Sequence, residues 1–383
     1  MKTVKKAIIE SSQANKNLIS ALEKANISYE ISDQNPPTKS YRKGKQDLHF
    51  TAKKGDVMHT CATISNKYIC CNVKVIKSVS NCPFDCSYCF LQNYLNDGNS
   101  KVVNDIDAMI EEVKLNCKKE PNRLFRIGTW ELGDSLAFEK ETKQAELLIE
   151  KFKDIPNAVL ELKTKSNIVD PILNCDHQQK TVVSWSLNTN YIIETQEHKT
   201  ARLHERIEAI NKVTKAGYLI GLHFDPTIIH PNWESEYTEL IESVCANTDP
   251  SQIAWISLGS LRFNPEMKKK IESNFPKTSI TYNEMILGDD GKVRYPKPTR
   301  IKMYKHIIEQ LEKHLNCSNL SPLLPPEKNK PLFYFCMERW DIWETFFNKS
   351  PKSINELDYL FAKNMHNRFY SNILTPPKLE NYN

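Results

Sequence analysis

This 383-residue chain has no apolar run approaching the roughly 20 residues that span a bilayer. Its first residues, MKTVKKAIIESSQANKN, carry lysines but no apolar core followed by a cleavage site, so secretion is not expected and a cytoplasmic location is. There is no internal repeat and no low-complexity tail. Glycine is scarce, at 10 residues, while Lys, Asn and Ile are abundant, a bias that speaks of genome composition more than of mechanism. Neither sign of charge dominates: 52 Lys and Arg against 47 Asp and Glu leave a net charge of +5, which permits an anionic partner without demanding one. A disulfide framework is not expected either, because eleven cysteines are an odd number in a long chain not expected to be secreted. What remains is a globular composition, 40% hydrophobic and 26% charged, long enough for one large domain with appendages or for two ordinary domains.

Against that plain background stands Cys82-Pro-Phe-Asp-Cys86-Ser-Tyr-Cys89. Gaps of three and two residues let one tight loop aim three thiolates at a single iron–sulfur cluster. Ferredoxin-type carriers close a four-iron cluster with a fourth cysteine. Three ligands leave one iron open, which points to chemistry rather than electron storage. The plainer alternative is a zinc knuckle whose fourth ligand is His59 or Cys70. Tyr88 before the last cysteine and Phe90-Leu91 after it favour the cluster.

Residues 1–35 have helix-like spacing at Ile8, Ile9, Leu18, Leu22 and Ala25. A polar, proline-containing stretch follows from Asp33 to Asp47, and Tyr68 to Ile76 reads as a strand entering the cysteine loop. From there strands and helices alternate: strands at 124–127, 158–162, 182–187, 219–224 and 253–258, helices at 108–115, 143–152, 200–216 and 235–244. Such alternation predicts a parallel sheet with crossover helices, closed or nearly closed into a barrel, with its site at the carboxyl ends of the strands. The expected divisions are an N-terminal helical/β extension (1–67), a partial barrel (68–304) and, beyond the proline-rich linker Ser321 to Pro331, a small C-terminal helical unit within 305–383.

The cysteine spacing, with its aromatic before the third cysteine, resembles the radical S-adenosylmethionine (SAM) superfamily, and within it the spore photoproduct lyase family. The resemblance covers roughly Tyr68 to Tyr304 and includes Cys89-Phe-Leu-Gln92, Leu162-Lys-Thr-Lys165, Ser184-Trp-Ser-Leu-Asn188, the run Arg206 to Tyr218, Gly221 to Trp233 and Leu261-Arg-Phe263. It implies an α/β fold, a partial (β/α)6 TIM-like barrel, holding a [4Fe–4S] cluster on Cys82, Cys86 and Cys89. S-adenosyl-L-methionine would chelate the open iron, and one electron from a flavodoxin- or ferredoxin-type donor would release a 5′-deoxyadenosyl radical. The implied substrate is a thymine-dimer lesion in DNA; RNA or a small molecule is the alternative, and a zinc-containing nucleic-acid-binding protein a third.

By the same resemblance, Lys165 suits the methionyl carboxylate, Ser186 and Asn188 contact the cofactor from one face of a strand, and Tyr88 lies beside it. The bland alternatives are a solvated lysine, a hydrogen-bonded strand end and ordinary packing. His223, Asp225 and His230 read as core polar groups rather than as a second metal site. Arg262 either holds a phosphate or pairs with a helix carboxylate. The run Arg294 to His306 interleaves cations with aromatics, a composition that can follow a phosphodiester and stack on bases, or simply begin an exposed helix.

One departure matters. The DNA-repairing lyases carry a hydrogen-donating cysteine after the second strand, assisted by tyrosines flanking the last cluster cysteine. Here Phe125 to Asp134 contains no cysteine, Thr129 falls at about that position, and the second tyrosine is Phe90. A threonine O–H bond is too strong to give hydrogen to a carbon radical. Cys336, among aromatics near the C-terminus, is the candidate replacement; the alternative is a buried small hydrophobe.

Overall fold

The computed structural model describes residues 4–61, 67–371 and 375–382. Its main sheet runs, in spatial order, Met58–Thr60, Lys74–Ile76, Phe125–Gly128, Ala158–Thr164, Thr181–Ser186, Leu219–Thr227, Ile253–Ser260 and Leu332–Phe335. The first pairing is antiparallel and the six that follow are parallel. These strands are buried on both faces, so they read as near-continuous apolar runs rather than alternating ones. The helices Ile106–Lys119, Gln144–Phe152, Leu203–Lys215, Trp233–Ala246 and Lys297–His314 cover the outside. Each buries a helical stripe; that of the first is Ile106, Met109, Ile110, Val113 and Cys117.

The sheet curls into a partial barrel. Arg126 on the Phe125–Gly128 strand donates from Nη2 to Tyr334 Oη on the last strand at 3.0 Å. Five strand spacings in a flat sheet would hold those strands about 24 Å apart. Only a curved sheet lets them meet across its concave face. Beyond the strand ends, Ile69 and Glu338 form a single antiparallel bridge.

Several expectations about organisation change. Residues 1–35 are not one helix: the strands Lys6–Ile9 and Ser28–Ile31 flank a helix over Lys16–Lys24. Ala7 and Ile9 alternate into a core, and Asn15 caps the helix by accepting from Leu18 N at 3.0 Å, which starts it late. The two strands join Asp47–Thr51, Ser100–Val103 and Val79–Ser80 in a separate five-stranded sheet, the first sheet along the chain, with its own apolar cluster. That sheet crosses the division expected at residue 67. The division expected after Tyr304 falls inside the helix Lys297–His314, and the final segment, expected to be helical, adds the strand Leu332–Phe335 to the main sheet. The strand read over 68–76 is regular only at Lys74–Ile76. Among the described residues no helix is long and apolar enough to cross a membrane.

Candidate active site

The cysteine loop opens at Asn81, whose φ of 66° turns the chain and whose side chain then holds it. Asn81 Oδ1 accepts from Cys82 N at 2.8 Å while Nδ2 donates to Gly98 O at 2.6 Å. Asp85–Cys86 pairs antiparallel with Glu197–His198. Ser87 N donates to Gln196 O at 2.8 Å, and Gln92 Nε2 bonds the carbonyls of Ser87 and Cys89 at 2.8 and 3.0 Å. These bonds fix the backbone and leave the sulfurs to ligands.

All eleven cysteines are free thiols. Cys82 and Cys86 are buried, and Cys89 is half-buried. Burial pushes the Cys86 thiol up to about 12 and that of Cys82 well above its ordinary range. Thiols this dry keep their protons unless a positive centre displaces them, as an iron–sulfur core does. The three cysteines therefore fit such a cluster. They do not assemble the zinc alternative. Cys70 lies against the thiols of Cys336 and Cys71, and His59 Nε2 bonds Asp56 O at 2.8 Å. Among the described residues no three His, Cys, Asp or Glu side chains converge on a single-ion site.

Beside the loop, Glu197 gathers the neighbouring charges. Tyr88 donates its hydroxyl to Glu197 Oε1, Arg206 pairs with Oε2 at 2.6 Å, and Lys165 Nζ lies 4.0 Å from Oε1 and 5.7 Å above the Tyr88 ring. Burial alone would raise this carboxyl, but Arg206 and then Lys165 outweigh it and hold it below its usual value. Arg206 Nη1 also donates to Ser186 O at 2.9 Å, which ties Tyr88, Lys165 and Ser186 into one group. Asn188 stands next along the chain and spends its amide on structure: Nδ2 donates to Pro226 O at 3.0 Å and Oδ1 accepts from Tyr237 at 2.8 Å. Lys165 is mostly buried rather than a solvated surface lysine.

Farther round the carboxyl ends of the strands, Cys336 follows the strand Leu332–Phe335. Its sulfur accepts from Arg262 Nη2 at 3.3 Å, and Arg262 Nη1 pairs with Asp225 Oδ1 at 2.9 Å. Burial would raise Asp225, but the Arg262 guanidinium holds it well below the carboxylate range. Arg262 thus has a carboxylate partner, on a strand rather than a helix. His223 bonds Glu161 at 2.9 Å and His230 bonds Thr189 at 2.9 Å, so His223, Asp225 and His230 are three separate core contacts and no metal site. Thr129 donates to Ser135 Oγ at 2.7 Å just past the second parallel strand.

Arg294 to His306, left open between a nucleic-acid contact and an exposed helix start, is only partly exposed. Arg294, Tyr295, Arg300 and Tyr304 are buried. Arg294 pairs with Asp290 at 2.6 Å, Arg300 pairs with Glu338, and Tyr304 bonds Glu338 at 2.6 Å. Of the exposed lysines, Lys297 and Lys302 are matched to Asp341 and Glu234. Arg300 and Tyr304 lie on the buried stripe of the helix Lys297–His314, and Arg294 ends the short strand Val293–Arg294; both placements were missed because the cations were counted as surface.

Sequence reasoning also passed over Glu161, which lies at the centre of the barrel. It accepts from Arg126 Nε and Nη2, Trp130, Ser184 and Trp255 at 2.8–3.1 Å, besides His223. Its signal was there: a lone glutamate in Ala-Val-Leu-Glu-Leu and a lone arginine in Phe-Arg-Ile mark two strands as a buried ion pair. Glu197 carried no such signal, because it follows a helix.

A family model described as spore photoproduct lyase matches residues 6–322, so the resemblance extends through the first sheet rather than starting at Tyr68. A spore photoproduct lyase from Bacillus subtilis (strain 168) is 30% identical over 244 residues, covering 62% of this chain and 69% of its own. Another, from Clostridium acetobutylicum, is 24% identical over 250 residues, covering 64% and 71%. Among solved structures, a spore photoproduct lyase complexed with dinucleoside spore photoproduct superposes with a TM-score of 0.72 at 20% identity, over 87% of this chain and 98% of that one. A doubly substituted variant with AdoMet and the same dinucleoside bound gives 0.72 at 21%, with the same coverage. The chain belongs to the spore photoproduct lyase family.

Proposed function

We propose that this protein is a radical SAM lyase that reverses a thymine-dimer lesion in DNA, working in the cytoplasm with a flavodoxin- or ferredoxin-type electron donor. The observation that carries it is the loop from Cys82 to Cys89, three unbridged thiols set beside the Tyr88–Glu197–Lys165 group. Family membership supports the lesion as substrate. When bound, a [4Fe–4S] cluster with S-adenosyl-L-methionine supplies one-electron cleavage of the sulfonium and a 5′-deoxyadenosyl radical that abstracts hydrogen.

Cys82, Cys86 and Cys89 would hold three irons and leave the fourth for the cofactor's amine and carboxylate. Lys165 would meet that carboxylate as a cation, held in place by Glu197. Ser186, the last residue of its strand, and Asn188, two residues beyond the strand rather than on it, would border the cofactor, with Arg206 anchoring the Ser186 carbonyl. Tyr88 would line the same space. Cys336 would return hydrogen to the product radical in place of Thr129, with Arg262 against its sulfur fixing where the S–H lies.

The test is anaerobic reconstitution followed by incubation with SAM, dithionite and DNA carrying spore photoproduct. We expect bound iron and sulfide, and thymine recovery that is lost in the Cys82, Cys86, Cys89 triple alanine variant and falls at least tenfold in Cys336→Ala. Colourless protein would overturn the proposal. A second reading, the same radical chemistry on RNA or a small molecule, is favoured by Thr129 and Phe90 standing where the lyases have cysteine and tyrosine. Steady 5′-deoxyadenosine release without thymine recovery would select it.

A further inference from the structure

The first sheet sends a strap, residues 39–46, across the cysteine loop. Two of the scarce glycines make the close approach possible: a Cβ on Gly44 would lie 2.0 Å from Gly98 O, and one on Gly98 would lie 2.4 Å from Ser40 O. Asn81, which starts the cysteine loop, bonds Gly98 O and reaches Tyr41 O at 3.4 Å. Arg42 clamps Asp85 with Nε at 3.0 Å and Nη2 at 2.6 Å. Lys45, 1% exposed, donates to Phe84 O and lies 3.6 Å from Asp85 Oδ1, both residues between the first two cysteines. Its ammonium also sits 4.0 Å over the Tyr41 ring.

Two groups on this strap stand out, one without a partner and one a buried cation. The Tyr41 hydroxyl is buried without a hydrogen-bond partner. A buried donor left so carries its desolvation cost uncompensated, so such groups ask for a partner. The strap's contacts with Asn81 and Phe84 hold Tyr41 against the cysteine loop, and the thiols of Cys89, Cys82 and Cys86 are among the neighbours that act on its hydroxyl, after burial. Lys45 is a nearly fully buried cation, and its charge acts on the thiols of both Cys82 and Cys86.

We infer that Tyr41 and Lys45 are positioning residues for the cluster's electronics: the Tyr41 hydroxyl donates to a cysteine sulfur, Cys89 foremost, and the Lys45 ammonium adds a buried positive charge. This rests on the cluster reading above. Hydrogen bonds to the sulfurs and positive charge nearby stabilise the added electron, so both raise the reduction potential. The strap thereby makes the cluster easier to reduce by its donor.

The experiment is an electron-paramagnetic-resonance redox titration of the reconstituted full chain, parent against Tyr41→Phe and Lys45→Met. At the potential where half the parent cluster is reduced, the reduced-to-oxidised ratio should fall about threefold in each variant, a shift of roughly 30 mV at 59 mV per tenfold. An exchangeable-proton hyperfine coupling in the parent should vanish in Tyr41→Phe, a change that a packing role would not produce. Unchanged potentials in both variants, each carrying the parental iron and sulfide, would overturn the inference and leave the cluster reading intact. A parent that assembles no cluster would overturn both.

Discussion

Glu161 and His223 show how one buried charge sets the protonation of its neighbour. Arg126, and hydrogen bonds from His223 and others, hold Glu161 well below the carboxylate range although burial pushes the other way. Burial, then the Lys163 charge, drives His223 down to about 4 from an ordinary 6.5, so it remains a neutral imidazole. Between those values the unfolded chain binds a proton that the folded chain refuses. Stability from this site is therefore complete above pH 6.5 and lost as pH falls toward 4. His223→Gln should flatten the stability–pH profile across that window by about 3 kcal/mol. Urea unfolding at a series of pH values measures it, and parallel curves for parent and variant would refute it. Glu161 and Arg126 were legible as charges inside apolar strands; their partners were not, because no sequence spacing relates strands 126, 161 and 223 across a curved sheet.

At the scale of elements, most of the parallel strands and covering helices were readable because continuous apolar runs of four to nine residues alternate with amphipathic stretches of nine or more. The first 35 residues were not. Ile8, Ile9, Leu18 and Leu22 fit a helical spacing, yet the chain divides at Asn15 and again at Asn26, whose φ of 52° ends the helix turn. Local capping outweighed a weak periodicity. Asn15→Ala should cost about 1 kcal/mol by removing the bond to Leu18 N. Because that helix packs on the sheet that carries the strap, the loss should show in hydrogen exchange of the first sheet before the barrel. Equal protection loss in both would mean that the two sheets open together.

At the scale of the whole molecule, the strand Leu332–Phe335 closes one side of the partial barrel. It covers the edge of Ile253–Ser260, all eight residues of which are buried. It also brings Tyr334 to Arg126 and Cys336 to Arg262. A chain truncated after Lys330 would present a long apolar edge to other molecules. We expect it to aggregate and to lose its cooperative thermal transition; a monomeric truncation with the parental melting profile would show that the last strand is dispensable. Expecting only helices here was reasonable from a segment flanked by prolines, since a four-residue strand is identified by its neighbour rather than by its own pattern.

The sequence alone determined the cysteine triad, the alternation of strands and helices and the family, because each is written in short spacings along the chain. Only the tertiary structure decided what surrounds the triad. Lys45 meets Phe84 across 39 positions, Arg262 meets Cys336 across 74 and Tyr88 meets Glu197 across 109. Burial and curvature, which no local period encodes, bring them together.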